Sequence, residues 1–208
     1  MKHLMQIVAT LLLLISIPAF AVGDAAQGQA QSAVCAACHG PDGNSTVPNW
    51  PKLAGQHEGY LNQQLALIKS GDRPVPEMAG IVAGMSEQDF ANISAYFSSQ
   101  TVKPGLADES AIPVAETLYR AGDPEIGAPA CMSCHGPAGE GNPLAGYPSL
   151  AGQHATYTEK MLKGFRSGTT WGAEDTNSAI MVGVTHRLTD AQITALASYI
   201  QGLYLSVE

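Results

Sequence analysis

The segment CAACHGPDGN at 35–44 returns as CMSCHGPAGEGN at 131–142, and PKLAGQH at 51–57 returns as PSLAGQH at 148–154. Tyr60 followed by IKSG at 68–71 is matched by Tyr157 followed by FRSG at 165–168. The chain is thus a tandem duplication of one unit of roughly 90 to 95 residues, too long for a stacking solenoid repeat and suited to a small domain. After the SG pair the second copy is six residues longer. The copies then run in step again, MAGIVAGMSEQD from Met78 against MVGVTHRLTDAQ from Met181, with Tyr96 and Tyr199 each eighteen residues further on. Between the copies, SSQTVKPGLADESAIP at 98–113 mixes Pro, Gly, Ser and charges as a linker does. The division expected is a first domain over 22–102, a linker over 103–112 and a second domain over 113–208.

Residues 1–21 begin with Lys2 and His3, run through LLLLISI and close on AFA, the pattern of a secretory signal peptide that is removed after export. Losing Lys2 leaves nine Lys and Arg against eighteen Asp and Glu. Such a chain has no clustered basic residues with which to hold phosphates, so nucleic acid is not an expected partner. Both halves are acidic: four basic against seven acidic residues from Val22 to Ala107, five against eleven beyond it. A positively charged partner surface fits that balance, as does simple solubility.

All four cysteines lie in two Cys-x-x-Cys-His units, Cys35/Cys38/His39 and Cys131/Cys134/His135. One helical turn separates the sulfurs of each pair, so both can form thioethers with one porphyrin, and the adjacent histidine faces the iron from the same side. Disulfides, Cys-x-x-Cys redox chemistry and zinc are the competing readings of exported cysteines. None of them requires a histidine directly after the second cysteine, twice. Two covalently bound haem c groups are therefore expected, with His39 and His135 as proximal iron ligands.

The sixth position on each iron is assigned through the repeat. A lone methionine is usually core, but Met78 and Met181 occupy equivalent places, 39 and 46 residues after their histidines. Met85 is matched by Leu188 and reads as a core position. A thioether ligand favours the reduced state and raises the potential. Met132 lies between two attaching cysteines, Met161 aligns with Gln64 and His186 with Ala83. His57 and His154 recur, but each opens an expected helix, where a polar residue is ordinary.

Each unit reads as a helix bearing Cys-x-x-Cys-His, a Gly/Pro/Asn-rich loop, a helix from about Tyr60 or Tyr157, a methionine loop and a last helix with apolar spacing of three and four. Ser86 and Thr189 are expected to cap those last helices. Strand signals are nearly absent, so the fold class is all-α, and haem must supply much of the apolar core of so small a domain.

The segments AVCAACHGPDGN, PKLAGQH, AYFSSQ, CMSCHGP, AGYPSLAGQHATY and ASYIQGL make the chain resemble the dihaem cytochromes c4, two fused class I cytochrome c domains, over essentially all of its exported length. The resemblance implies a periplasmic electron carrier of a respiratory chain, with one His/Met haem per domain, the domains related by a pseudo-twofold axis and the haem propionates facing each other. It also implies that Pro51 and Pro148 present carbonyls to the proximal histidines. A quinol:cytochrome c oxidoreductase is implied as donor and a haem-copper oxidase as acceptor, with no small-molecule substrate, no catalytic residue, and peripheral membrane association left open. An alternative is the dihaem subunit of a periplasmic dehydrogenase such as flavocytochrome sulfide dehydrogenase. A peroxidase-type enzyme would need one haem with a displaceable distal ligand, which the matched methionines oppose.

Overall fold

Among the described residues each copy of the repeat folds as five α-helices in the same order. The first copy holds α1 (Ala25–Gln31), α2 (Ala36–His39), α3 (Glu58–Ser70), α4 (Pro76–Val82) and α5 (Glu87–Ser98). The second holds α6 (Ile112–Ala121), α7 (Met132–His135), α8 (Ala155–Arg166), α9 (Thr176–Thr185) and α10 (Asp190–Gly202). The structure, a computed structural model, describes residues 22–173 and 175–205; the expected signal peptide over 1–21 lies outside them. Among the described residues the only extended pairings are two isolated bridges, Asp123 with Ala128 and Asn142 with Tyr147, so the fold is all-α as expected.

Local sequence accounts for the helix ends. Asp24 caps α1 by accepting from the Ala26 and Gln27 amides. Glu58 stands in the first turn of α3 and Lys69 in its last, each favourably placed against the helix dipole, and Gly71 ends the helix in the left-handed conformation. Ser86 and Thr189 cap α5 and α10 as expected. Both close a full capping box, Ser86 with Asp89 and Thr189 with Gln192, which satisfies backbone donors in both directions.

One expected element differs. The two methionine loops are helical: Met78 lies in α4 and Met181 in α9. Pro76 at the start of α4, with Glu77 in its first turn, supplies a fixed backbone angle and a favourable charge that a reading by apolar spacing overlooks.

The first and last helices of the first copy cross closely. A Cβ on Gly28 would lie 1.9 Å from the Asn92 carbonyl oxygen, so only glycine lets α1 meet α5 at this distance. The first copy's apolar core is split in two. Leu61, Ile93, Tyr96 and Phe97 form one cluster, which Cys35 borders; Ile68, Val82 and Phe90 form the other, which Met78 borders. Met85 touches both clusters, and its counterpart Leu188 is buried in the single core of the second copy with Tyr119, Ile193 and Tyr199.

Residues 99–111 carry no helix but are held at both ends. Asn44 binds the Thr101 carbonyl and the Lys103 amide, while the Gly105 amide donates to the Gln201 carbonyl and the Asp108 amide to the Ser198 hydroxyl.

Ser86→Ala removes the capping box of α5 at a cost of about 1 kcal/mol. The expected outcome is roughly fivefold faster hydrogen exchange of the α5 amides, measured on the intact holoprotein, with α10 unaffected.

Candidate functional site

The two Cys-x-x-Cys-His units fold alike. Each is a single helical turn ended by a glycine at positive φ, Gly40 and Gly136, and each leaves its histidine buried, 6% exposed in both cases. The next positive-φ glycine does the positioning. The Gly43 carbonyl accepts from the Leu53 and Ala54 amides, and the Gly139 carbonyl from the Leu150 and Ala151 amides, so PKLAG and PSLAG are folded back over the histidines. A Cβ on Gly43 would lie 2.8 Å from the Ala54 nitrogen.

That fold-back brings the Pro51 carbonyl to 2.8 Å from His39 Nδ1 and the Pro148 carbonyl to 2.9 Å from His135 Nδ1. A carbonyl only accepts, so Nδ1 carries the proton in both rings and Nε2 keeps its lone pair for a metal. Burial pushes both imidazoles below the ordinary histidine value, with the proline carbonyls partly opposing it, which favours the neutral ring in both sites.

None of the four cysteines is joined to another in a disulfide, and all four are half-buried. Burial pushes Cys131 up to about 11 and raises Cys35 as well, opposite to the depressed value that a reactive redox pair uses. Among the described residues no three His, Cys, Asp or Glu side chains converge as a metal cage. A porphyrin-held iron needs no cage: it needs thiols that are not paired with each other and an imidazole with one fixed tautomer, and both units provide these. The residues present therefore fit haem. Met78 and Met181 are half-buried on α4 and α9. Met132 packs against the second core, Gln64 is buried against Arg73, and His186 is exposed at the end of α9 with Nδ1 turned to the Gly183 carbonyl.

The two copies of PxLAGQH face each other across the domain boundary. Gln56 Nε2 donates to the Ser149 carbonyl and its Oε1 accepts from the Ser149 amide, both at 2.9 Å. Gln153 does the same with Lys52, again 2.9 Å in each direction. His154 Nε2 donates to the Ser45 carbonyl at 2.8 Å. The matching His57 Nε2 is buried beside Gly141 with no partner among the described residues. Neither histidine caps its helix through the side chain; both rings lie against the other domain instead.

The symmetry is broken where the second copy is longer. Trp171, 6% exposed and tilted against Phe165 with ring centroids 5.3 Å apart, receives the Arg73 guanidinium over its ring at 4.4 Å. Arg73 also donates to Gln64 Oε1 at 2.8 Å and to the Tyr157 hydroxyl at 2.9 Å. The extra residues therefore fasten the second domain to the first. Sequence reasoning overlooked Gln56, Gln153, Arg73 and Trp171. The repetition of Gln-His in both copies was a usable signal for the glutamines; nothing in the sequence pairs Arg73 with Trp171.

Comparison with known proteins gives a consistent picture. The cytochrome c family model matches residues 25–101 and again 117–204. The chain is 51% identical over 186 residues to cytochrome c4 of Pseudomonas aeruginosa, spanning 89% of this chain and 92% of that protein. The crystal structure of reduced recombinant cytochrome c4 from Pseudomonas stutzeri superposes with a TM-score of 0.84 at 50% identity, over 88% of this chain and 100% of that one. More distantly, the thiosulfate dehydrogenase electron acceptor of Thiomonas intermedia is 34% identical over 180 residues, 85% of this chain and 81% of that protein.

Burial first, with Lys52 adding to it and the Ser45 carbonyl opposing, holds His154 below its ordinary value. The unfolded chain then takes up a proton near pH 6.5 before the folded one does, so this contribution to stability is complete above that pH and is lost as pH falls through it. The guanidinium midpoint of the holoprotein should therefore fall more steeply between pH 7 and 5 than that of His154→Gln.

Proposed function

The chain belongs to the cytochrome c family as a dihaem cytochrome c4, an electron-transfer protein with two covalently bound haem c groups, and from that membership we propose a periplasmic carrier that links a quinol:cytochrome c oxidoreductase to a haem-copper terminal oxidase. The exported protein begins after the leader over 1–21, and its domains, 22–102 and 113–208, are joined by residues 103–112. Cys35 and Cys38 hold one haem as thioethers, and Cys131 and Cys134 the other. His39 with Met78, and His135 with Met181, would supply the protein ligands to the two irons. Bound haem supplies one-electron ferrous–ferric chemistry.

The observation that carries this reading is the equivalence of the two proximal sites: His39 and His135 are buried to the same extent and donate to proline carbonyls at 2.8 and 2.9 Å. A carrier needs the same ligands in both oxidation states. Buried imidazoles fixed from behind meet that need, because neither ring can swing away when the iron charge changes. The protein's role is then to hold, shield and orient, and it is not itself an enzyme. The acidic surface suits electrostatic encounter with positively charged partner faces. Among the described residues no helix is long and apolar enough to cross a membrane.

A second reading rests on the thiosulfate dehydrogenase electron acceptor already described. In this reading the electrons come from a periplasmic dehydrogenase on another chain, and the same haem sites receive them.

The test is to add anaerobically reduced holoprotein to membranes containing a haem-copper oxidase and then admit oxygen. Fast reoxidation that cyanide stops and rising salt slows is expected. No reoxidation by the membranes, together with prompt reduction by thiosulfate and its dehydrogenase, would replace the first reading with the second.

A further inference from the structure

The carbonyl that holds each proximal histidine belongs to a peptide group that the other domain also holds. Pro51 C=O and Lys52 N–H form one planar unit. The carbonyl accepts from His39 Nδ1 at 2.8 Å, and the N–H donates to Gln153 Oε1 at 2.9 Å. Pro148 C=O and Ser149 N–H repeat this, with His135 Nδ1 at 2.9 Å on one side and Gln56 Oε1 at 2.9 Å on the other. Each glutamine amide is fixed on three sides. Gln153 Nε2 donates to the Lys52 carbonyl and its Oε1 also accepts the His154 amide; Gln56 does likewise with the Ser149 carbonyl and the His57 amide.

Amide resonance links the two ends of a peptide group. Bonding its N–H to an acceptor makes its C=O a better acceptor, and hydrogen bonds in series strengthen one another. A stronger carbonyl draws harder on the histidine Nδ1 proton and makes the ring a better electron donor to iron. We propose that Gln56 and Gln153 are crossed positioning residues, each tuning the proximal histidine of the opposite domain through the peptide group they share. Gln153 of the second domain sets the donor strength of His39, and Gln56 of the first sets that of His135. The inference rests on the axial assignment under Proposed function and adds a role to glutamines that would otherwise only join the domains.

The structural alternative makes a different forecast. If the glutamines only join the domains, losing either loosens one shared interface, and both haems respond together or not at all. Crossed tuning moves one haem, and it is the one in the other domain.

The experiment is a redox titration of the holoprotein followed by proton NMR, which resolves the ferric haem-methyl resonances and assigns each set through contacts to residues of its own domain. Two low-spin sets in the unmutated protein verify the axial reading before any variant is compared. Gln153→Leu is expected to raise the midpoint potential of the first-domain haem and leave the second unchanged; Gln56→Leu is expected to do the reverse. Gln153→Glu and Gln56→Glu keep an oxygen facing the peptide N–H and make it a stronger acceptor. They should lower the potential of the opposite haem more than that of their own, and they decide the matter if a leucine variant fails to fold. A shift confined to the variant's own domain, equal shifts in both haems, or no shift in either would overturn the proposal.

Discussion

The rest of each domain is arranged around one hydrogen bond, from a buried histidine Nδ1–H to a proline carbonyl. It fixes the tautomer, leaves the Nε2 lone pair free, and keeps a buried polar nitrogen satisfied. Several local features serve it. A positive-φ glycine ends the Cys-x-x-Cys-His turn, a second folds the PxLAG segment back, and the Gly55 and Gly152 amides pin that segment to the Phe97 and Ile200 carbonyls of the last helices. The loop after the histidine is pinned differently in the two copies. In the first, the Tyr96 hydroxyl reaches the Pro41 carbonyl; in the second, the Tyr119 hydroxyl reaches the Gly136 carbonyl from the opening helix. The constraint was kept while the residue meeting it changed.

The duplication made much of this legible. Repetition of Cys-x-x-Cys-His, of PxLAG and of the capping residues shows which positions both copies require, and the helical periodicity around them is strong. Reading Ser86 and Thr189 as caps rested on local chemistry, which sequence carries well. The methionine segments read as loops because α4, led by a proline, has only seven residues, and the apolar residues of the ten-residue α9 run unbroken from Ala179 to Val182, so neither shows a helical period. The interface was illegible for another reason. Gln56 and Ser149 are 93 residues apart and Arg73 and Tyr157 are 84 apart, so no local pattern joins them. His57 and His154 show both effects together: their recurrence was visible, but its cause lay across the boundary.

Duplication followed by divergence also explains the uneven interface. The reciprocal glutamines keep the twofold relation, which lets one motif serve as both donor and recipient of the contact. The longer second copy adds a one-sided fastening, with Arg73 of the first domain held by Trp171 and Tyr157 of the second. A stacked, hydrogen-bonded guanidinium retains its charge at any working pH, so this fastening does not depend on pH. The linker is bound to both domains as well. Together these contacts suit a protein in which two redox centres have to keep a constant separation and orientation.

The central claim is that both irons are closed by His39 with Met78 and by His135 with Met181. Visible absorption spectra of the holoprotein, oxidised and reduced, before and after carbon monoxide and cyanide at neutral pH, test it most directly. Two haems that stay low-spin and ignore both ligands are the expected result. Prompt binding of carbon monoxide by either haem would mean that Met78 or Met181 is not a firm ligand, and would contradict the assignment of this chain as a carrier with two closed sites.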